Sequence, residues 1–222
     1  DPREADWSTM GLLRELGFNR VSLGVQDLDP VVQQAVNRLQ TLEQTRAIVE
    51  AARTLQFRSV NIDLIYGLPK QTPENFARTV DAVIALQPDR LSVFNYAHLP
   101  ERFLPQRRIN ASDLPAPADK LQMLQNTIEQ LTKAGYRYIG MDHFALPDDE
   151  LAIAQEEATL QRNSQGYTTH GHCDLIGLGV SAISQIGDLY CQNNSDLAQY
   201  QTTLASAKLA TSRGLICNQD DR

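Results

Sequence analysis

The chain has 222 residues, of which 42% are hydrophobic and 21% are charged, as in globular proteins with one or two domains and unlike disordered or fibrous chains. Its 27 acidic residues outnumber its 20 Lys and Arg residues, and the net charge of -7 disfavours binding to nucleic acid or to an anionic membrane. The sequence shows no run of about 18 apolar residues, no signal-peptide pattern and no C-x-x-C pair among Cys173, Cys191 and Cys217. We therefore expect a cytoplasmic protein without disulfides.

Helical and strand-like segments alternate along the first 145 residues. Gly17 suits the end of the first helix, because glycine readily adopts the left-handed conformation found there. Thr41 and Gln44 match a capping box, and Thr72 followed by Pro73 matches a helix start. In chain order, the predicted elements are helix 7–16, strand 20–26, helix 30–37, helix 41–55, strand 59–67, helix 72–87, strand 91–97, helix 117–134 and strand 138–144.

This alternation predicts βαβ units and a parallel sheet, in which ligands bind at the carboxyl ends of the strands. Beyond residue 148 the alternation weakens, and a short helix over residues 148–158 leads into polar and glycine-rich segments that form a different layer. The polar residues expected at the strand ends are Gln26, Asp63, Tyr66, Asn95, His98, Asp142 and His143.

Asp63 is the most unusual polar residue in these strands. It lies in the apolar segment of residues 60–65, where burying an unpaired carboxylate is costly. Strand alternation places it on the same face as Asn61 and Ile65. Either that face points toward a bound ligand or Asp63 bonds a neighbouring loop, and the residue pattern leaves both open.

The histidines suggest an alternative chemistry. His170 and His172, with Asp174, resemble half of a metal site, and His98 and His143 could extend it in a metal-dependent hydrolase on an α/β barrel. The other interpretation is a set of polar loop residues near a pocket, since His-x-His pairs are common by chance.

Two smaller features also have two interpretations each. Gly177 and Gly179 either bring backbone amides to an anion or permit close packing. Arg107 and Arg108 either face solvent or bind a carboxylate-rich substrate.

Seven segments, taken together and in order, closely resemble one family. The piece Asp63-Leu-Ile-Tyr-Gly-Leu-Pro69 is shared among related radical enzymes, whereas Phe94-Asn-Tyr-Ala-His-Leu99 is more specific. The chain resembles the oxygen-independent coproporphyrinogen III oxidases, which are radical S-adenosylmethionine enzymes. The segments are residues 17–27, 36–38, 61–73, 89–100, 138–145, 166–169 and 179–183.

The resemblance implies an α/β fold that is the C-terminal half of an open radical-SAM (β/α)6 barrel, a partial TIM barrel. Residues 1–145 would hold the later βα units, whose strands are the fourth, fifth and sixth of the barrel plus an additional strand. Residues 146–222 would begin the C-terminal accessory region, which is cut short.

The resemblance also implies the reaction. By this family's 5′-deoxyadenosyl radical mechanism, two propionate groups of coproporphyrinogen III become vinyl groups, giving protoporphyrinogen IX in haem biosynthesis. The implied cofactors are S-adenosylmethionine and a [4Fe-4S] cluster. The family's C-x-x-x-C-x-x-C cluster motif has no match in the sequence. We therefore expect the cluster ligands upstream of this chain, no metal site within it, and an internal fragment that is inactive alone.

Five residues match the family's S-adenosylmethionine contacts. The resemblance assigns polar contacts to Gln26 and Arg38, a ribose or amino-group contact to Asp63, a backbone contact to Ala97 and an apolar contact to Ile183. Arg38 can reach the same ligand as Gln26 only if the 30–37 helix folds back across the barrel mouth. Otherwise it forms a surface pair with an acid such as Asp27 or Asp29.

The expected partners are a porphyrinogen substrate, an electron donor and an electron acceptor, for a monomer that binds neither nucleic acid nor membrane. Two alternative functions stay open. One is a haem-binding, chaperone-like relative without decarboxylase activity, whose sequences usually differ in the segment of residues 94–99. The other is the metal-dependent hydrolase.

Overall fold

The computed structural model describes residues 1–218, which divide into two compact units. The first unit covers residues 1–156 and the second begins at Glu157. No helix among the described residues is both long and apolar enough to cross a membrane.

The first unit is a five-stranded sheet with helices between its strands. The strand order is β1-β2-β3-β5-β4, and β1, β2 and β3 are parallel, as predicted. No strand pairing closes this sheet into a barrel within residues 1–218, so the predicted partial barrel is confirmed as an open sheet. Its elements are α1 (Trp7–Glu15), β1 (Arg20–Gln26), α2 (Pro30–Ala35), α3 (Leu42–Thr54), β2 (Ser59–Tyr66), α4 (Pro73–Ile84), β3 (Arg90–Asn95), α5 (Pro117–Lys133), β4 (Arg137–Gly140), β5 (His143–Ala145) and α6 (Glu150–Glu156).

The core lies on the face of the sheet that alternate strand residues turn toward the helices. Val60, Ile62 and Leu64 of β2 are fully buried there, as are Leu91 and Val93 of β3. Full burial of one such side chain contributes about 1.5–3 kcal/mol, so this row fixes the register of the sheet. The opposite face of β2 is only partly buried.

The helix starts follow the sequence signals. Thr41 Oγ1 accepts from the Gln44 backbone and Gln44 Oε1 accepts from the Thr41 backbone, which completes the predicted capping box. Thr72 caps α4 with Pro73 at its first position, and Asn75 completes a second capping box there.

The prediction of one strand over residues 138–144 is wrong, because this segment is a β-hairpin. Strands β4 and β5 are antiparallel, and Met141 and Asp142 form the two-residue turn between them. Both turn residues have positive φ, +41° and +70°, which is the backbone geometry of a type I′ hairpin. The sheet is therefore mixed, with an antiparallel hairpin beside β3.

Helix α6 is held at the amino-terminal edge of the sheet by ion pairs. Arg20 begins β1 and bonds Glu150 through two nitrogens, with a shortest distance of 2.7 Å. Arg90 begins β3 and bonds Asp149 at 2.8 Å and Glu150 at 2.9 Å. These contacts place α6 in the first unit, which extends past residue 145 to Glu156.

The second unit has only antiparallel strands in its two small sheets. Strands β6 (Gln161–Asn163) and β7 (Gly166–Thr168) form a hairpin. Strands β8 (Ile183–Ile186), β9 (Leu189–Asn193) and β10 (Thr211–Ile216) form a sheet, and α7 (Leu197–Ala205) precedes β10.

Candidate functional site

A cavity of about 440 Å³ lies at the carboxyl ends of the three parallel strands. Gln26 ends β1, Ile65 lies near the end of β2 and Tyr96 follows β3, and all three line the cavity. Arg38 lines it from the segment between α2 and α3, and Gln106 from the loop after β3. The cavity therefore lies where ligands bind in parallel α/β folds.

Gln26 enters this cavity from an unusual backbone turn. The β1–β2 register passes from Gly24–Asp63 to Gln26–Leu64, so Val25 is an extra, bulged residue. Gln26 has a φ of +68°, and the Asp27 N–H donates to the Val25 carbonyl across it at 2.9 Å. This is the φ and the bonding of a γ-turn, which is rare and strained for a residue with a Cβ. Such strain costs about 1–3 kcal/mol and persists only where the surroundings impose it.

Arg38 approaches the same point from the other side. Its Nη2 donates a 2.6 Å hydrogen bond to the Gly24 carbonyl, so the segment after α2 does fold back over the end of β1. The ion pair of Arg38 is with Asp1, at 3.1 Å, rather than with Asp27 or Asp29. Burial, together with the charge of Arg3, lowers the pKa of Arg38 below its ordinary value.

Gln26 and Arg38, which both line the cavity, each have a polar atom without a partner. Among the described residues, Gln26 Oε1 and Arg38 Nε are shielded from solvent and have no hydrogen-bond partner. Leaving a buried polar atom unpaired costs about 1–3 kcal/mol. The two side chains thus present one unused acceptor and one unused donor, which suits a polar ligand in the adjoining cavity.

Asp63 is close to this pair and is partly buried. It pairs with Gly24 of the neighbouring strand β1. Its side chain lies on the partly exposed face of β2 with Asn61, as strand alternation predicts. Its carboxylate accepts from Ser22 Oγ at 2.9 Å and from Asn61 Nδ2 at 2.7 Å. Asp63 thus avoids the cost of burial in the core, because it faces away from the core in a row of polar side chains. Its assigned contact with a cofactor stays a prediction.

Ala97 lies two residues beyond the end of β3, next to cavity-lining Tyr96. Gln106 Nε2 already donates to the Ala97 carbonyl at 3.0 Å, and Gln106 Oε1 accepts from the Leu99 backbone. These two bonds fold the loop after β3 back on itself. A backbone contact from Ala97 to a ligand stays a prediction.

Ile183 belongs to the second unit, where it begins β8 and pairs with Gln192. Its carbonyl lies 2.5 Å from the position that a Cβ on Gly177 would occupy, so only glycine fits there. The Gly177 N–H donates to Ser184 Oγ and the Gly179 N–H to the Tyr200 hydroxyl. Close packing thus accounts for Gly177, whereas Gly179 has open space around its Cβ position and a φ of +106° that favours glycine. The apolar contact assigned to Ile183 stays a prediction.

A group of buried polar residues behind the cavity was missed from the sequence. The sequence suggested Asp27 only as a possible surface partner of Arg38, yet it is 2% exposed. Its carboxylate accepts from Gln71 Nε2, Thr79 Oγ1 and the Asp29 backbone. Burial raises the pKa of Asp27 above its ordinary value, although these hydrogen bonds act in the opposite direction. No local pattern marks the group, because its members come from separate segments.

The histidines do not form a metal site. Among the described residues, no group of three His, Cys, Asp or Glu side chains is placed to hold a metal ion. His98 Nδ1 lies 3.2 Å from the Tyr96 hydroxyl, and His143 Nδ1 lies 2.8 Å from the Met141 carbonyl. His170 and His172 are exposed in the second unit. The pairing of these histidines into one centre is therefore not supported.

Known proteins are similar to this chain in sequence and in fold. The Radical SAM superfamily model matches residues 2–83. The oxygen-independent coproporphyrinogen III oxidase of Pseudomonas aeruginosa is 81% identical over all 222 residues, and that of Escherichia coli is 57% identical over 221 residues. Over its whole length the chain is homologous to these oxidases. It spans about half the length of these relatives, 48% in each case.

A solved structure extends the relationship to three dimensions. It is that of coproporphyrinogen III oxidase from Escherichia coli, a radical SAM enzyme. The match has a TM-score of 0.90 at 56% identity and covers 100% of this chain and 51% of that one. The predicted α/β fold class and the predicted resemblance to these oxidases are thereby confirmed.

Proposed function

We propose that the protein to which this chain belongs is an oxygen-independent coproporphyrinogen III oxidase. It converts two propionate side chains to vinyl groups, and each conversion releases one hydrogen atom, one electron and carbon dioxide. The observation that supports this most strongly is the 81% identity over the whole chain to a protein of that name. Because the chain covers 48% of that relative, the activity belongs to the longer protein.

The cavity fits S-adenosylmethionine as one of the cofactors. The molecule offers a carboxylate for the unpaired Arg38 Nε and hydroxyl or amino groups for the unpaired Gln26 Oε1. Asp63 adds an acceptor on the same face, and Ile65 adds apolar surface. When bound, S-adenosylmethionine supplies the radical chemistry that removes hydrogen from the substrate. The role of the named residues is to bind and orient it.

The described residues do not fit the second cofactor, a [4Fe-4S] cluster. Such clusters need several closely spaced cysteine thiolates. Cys173, Cys191 and Cys217 all belong to the second unit, and no group of three potential ligands forms among residues 1–218. We therefore assign the cluster ligands to another part of the full-length protein and expect the 222 residues to be inactive alone.

The remaining assignments are proposals of the same kind. An acidic chain with three free cysteines suits a cytoplasmic monomer that exchanges electrons with a donor and an acceptor and binds neither nucleic acid nor membrane. The haem-binding relative and the metal-dependent hydrolase are not favoured, since the relatives reported above are named as oxidases.

The test is anaerobic turnover of coproporphyrinogen III by the full-length protein after cluster reconstitution. We expect S-adenosylmethionine-dependent formation of protoporphyrinogen IX with two molecules of carbon dioxide per product. The 222-residue chain serves as the control and should form none. Haem binding by full-length protein without any decarboxylation would contradict the proposal and support the haem-binding alternative.

A further inference from the structure

The strained turn at Gln26 is fixed on both sides by side chains from other segments. On the preceding side, Gln40 Nε2 donates to the Val25 carbonyl at 3.1 Å. On the following side, Gln33 Nε2 donates to the Asp27 carbonyl at 2.8 Å. Gln33 and Gln40 are both buried. The Gln33 side chain also donates to the Gln40 carbonyl and accepts from the Gln40 N–H. The backbone of the turn is thus bonded to α2 and to the segment before α3.

The side chain of Asp27 adds a second set of bonds. Its Oδ1 accepts from Thr79 Oγ1 at 2.8 Å and its Oδ2 from Gln71 Nε2 at 2.5 Å. Gln71 also donates to the Ile65 carbonyl and accepts from the Leu68 N–H, both at 2.8 Å. Since Ile65 and Leu68 line the cavity, Asp27 joins the end of β1 to the cavity wall after β2.

A buried carboxylate is a costly way to hold a loop. Asp27 satisfies its carboxylate with neutral donors, an amide, a hydroxyl and a backbone N–H, and these offset the loss of water only in part. An apolar residue would pack at lower cost, but it could not accept from three donors directly beside Gln26. The bonds to Asp27 therefore hold Gln26 in its strained conformation, with its unpaired Oε1 beside the cavity.

We propose that Asp27, with Thr79 and Gln71, is a positioning group that holds the turn at Gln26 so that the Gln26 side chain meets S-adenosylmethionine. This rests on the function proposed above and names residues that act through Gln26. Asp27 and Thr79 do not line the cavity. Their effect on binding must therefore pass through the residues that do.

The test is a double-mutant cycle on the full-length protein, with the dissociation constant for S-adenosylmethionine measured by anaerobic calorimetry. Thr79→Val removes the hydroxyl donor to Asp27 and keeps the shape of the side chain, whereas Thr79→Ser keeps the donor. We expect Thr79→Val to weaken binding about five- to tenfold and Thr79→Ser by less than about twofold. In a Gln26→Ala background, Thr79→Val should cause no further loss of affinity.

A merely structural role gives a different result. It lowers the unfolding temperature in both backgrounds and leaves affinity unchanged, or reduces affinity by the same factor in both. Either result overturns the positioning role. A full-length protein that does not bind S-adenosylmethionine contradicts the proposed function itself. One combined result contradicts only the positioning role. In it, the wild type binds S-adenosylmethionine tightly, Gln26→Ala binds it more weakly, and Thr79→Val has the same effect in both backgrounds.

Discussion

Arg38 Nη2 donates to the carbonyl of Gly24 at 2.6 Å, across a sequence separation of 14 residues. Directly above the same glycine lies the amide of Gln26, whose Nε2 would be 2.9 Å from a Cβ at position 24. Gly24 therefore lets two polar side chains meet over the end of β1. The absence of a side chain at this position is what brings the candidate cofactor contacts together.

The first prediction concerns the space that Gly24 leaves free by having no side chain. In Gly24→Ala, the new Cβ would crowd Gln26 Nε2 and come within 3.5 Å of Arg38 Nη2. Both neighbours are ends of flexible side chains, so we expect the protein to fold but to bind S-adenosylmethionine about tenfold more weakly. Gly11→Ala is the matched control, since nothing lies within 4 Å of its Cβ position in α1. Unchanged affinity in Gly24→Ala would show that the two side chains do not contact the cofactor.

The second prediction concerns the shape of the Arg38 side chain. Arg38→Lys keeps the charge but cannot bond Gly24 and Asp1 and also replace the Nε donor, because an ammonium has all its N–H groups on one nitrogen, whereas a guanidinium has them on three. We expect the KM for S-adenosylmethionine in the full-length protein to rise about tenfold or more. Arg58→Lys, at an exposed arginine, is the control.

The effects at Arg38 and Gln26 should also be coupled. If both contact one ligand, Gln26→Ala combined with Arg38→Lys loses less affinity than the sum of the single changes. Wild-type turnover of Arg38→Lys, with an unchanged dependence on S-adenosylmethionine, would leave only the ion pair with Asp1 as the role of this residue.

The third prediction separates strain from binding at Gln26. Gln26→Gly and Gln26→Ala remove the same side-chain amide, but only glycine accepts a φ of +68° without strain. We expect the glycine variant to have a free energy of unfolding about 1 kcal/mol higher than the alanine variant, with equally weakened cofactor binding. Chemical denaturation and calorimetry of the full-length variants measure the two quantities. Equal stability of the two variants would mean that the turn is not strained.

These positions show where sequence reasoning succeeds. The helix caps at Thr41 and Thr72 were predictable because the residues that signal each cap lie within one stretch of four residues. Strand alternation placed Asp63 on the correct face, with Asn61. The approach of Arg38 to the end of β1 could be stated as a condition for binding, and the structure meets that condition.

The parts that could not be predicted depend on long-range contacts or on atypical turn residues. Met141 and Asp142 form a hairpin turn without the Asn-Gly or Asp-Gly signal, so the hairpin was interpreted as one strand. Gln26 has no local preference for positive φ. The burial of Asp27 and Gln71 follows from bonds across 44 residues, and both residue types are usually exposed.

The fourth prediction concerns the ion pairs that hold α6. The Arg90 side chain is 16% exposed and that of Asp149 is 6% exposed, so losing the arginine leaves a nearly buried acid without its partner. We expect Arg90→Gln to lower the free energy of unfolding by about 2 kcal/mol or more. Arg137→Gln, which breaks an exposed pair with Glu156, should change it by less than about 1 kcal/mol. Similar small effects of both changes would show that Arg90 is not a stabilising contact.

The same ion pairs predict a pH dependence. Burial alone would raise the pKa of Glu150, but hydrogen bonds from Arg90 and Arg20 and their charges lower it below its ordinary value of 4.5. A lowered native pKa means that the Glu150 contribution to stability is complete above pH 4.5 and is lost as the pH falls through the native value. Denaturation at decreasing pH should show a smaller loss of stability in Glu150→Gln than in wild type. Identical slopes in the two proteins would contradict the assignment.

Hydrogen–deuterium exchange of the full-length protein, with and without S-adenosylmethionine, locates the cofactor site most directly. Ligand contact at the cavity should slow amide exchange in residues 24–29, 36–41 and 66–71, the three segments that meet at the strand ends. Exchange in α6, at the opposite edge of the sheet, should not change. If S-adenosylmethionine binds and exchange in those three segments is unaltered, the cofactor is held elsewhere and the assignment of this cavity is wrong.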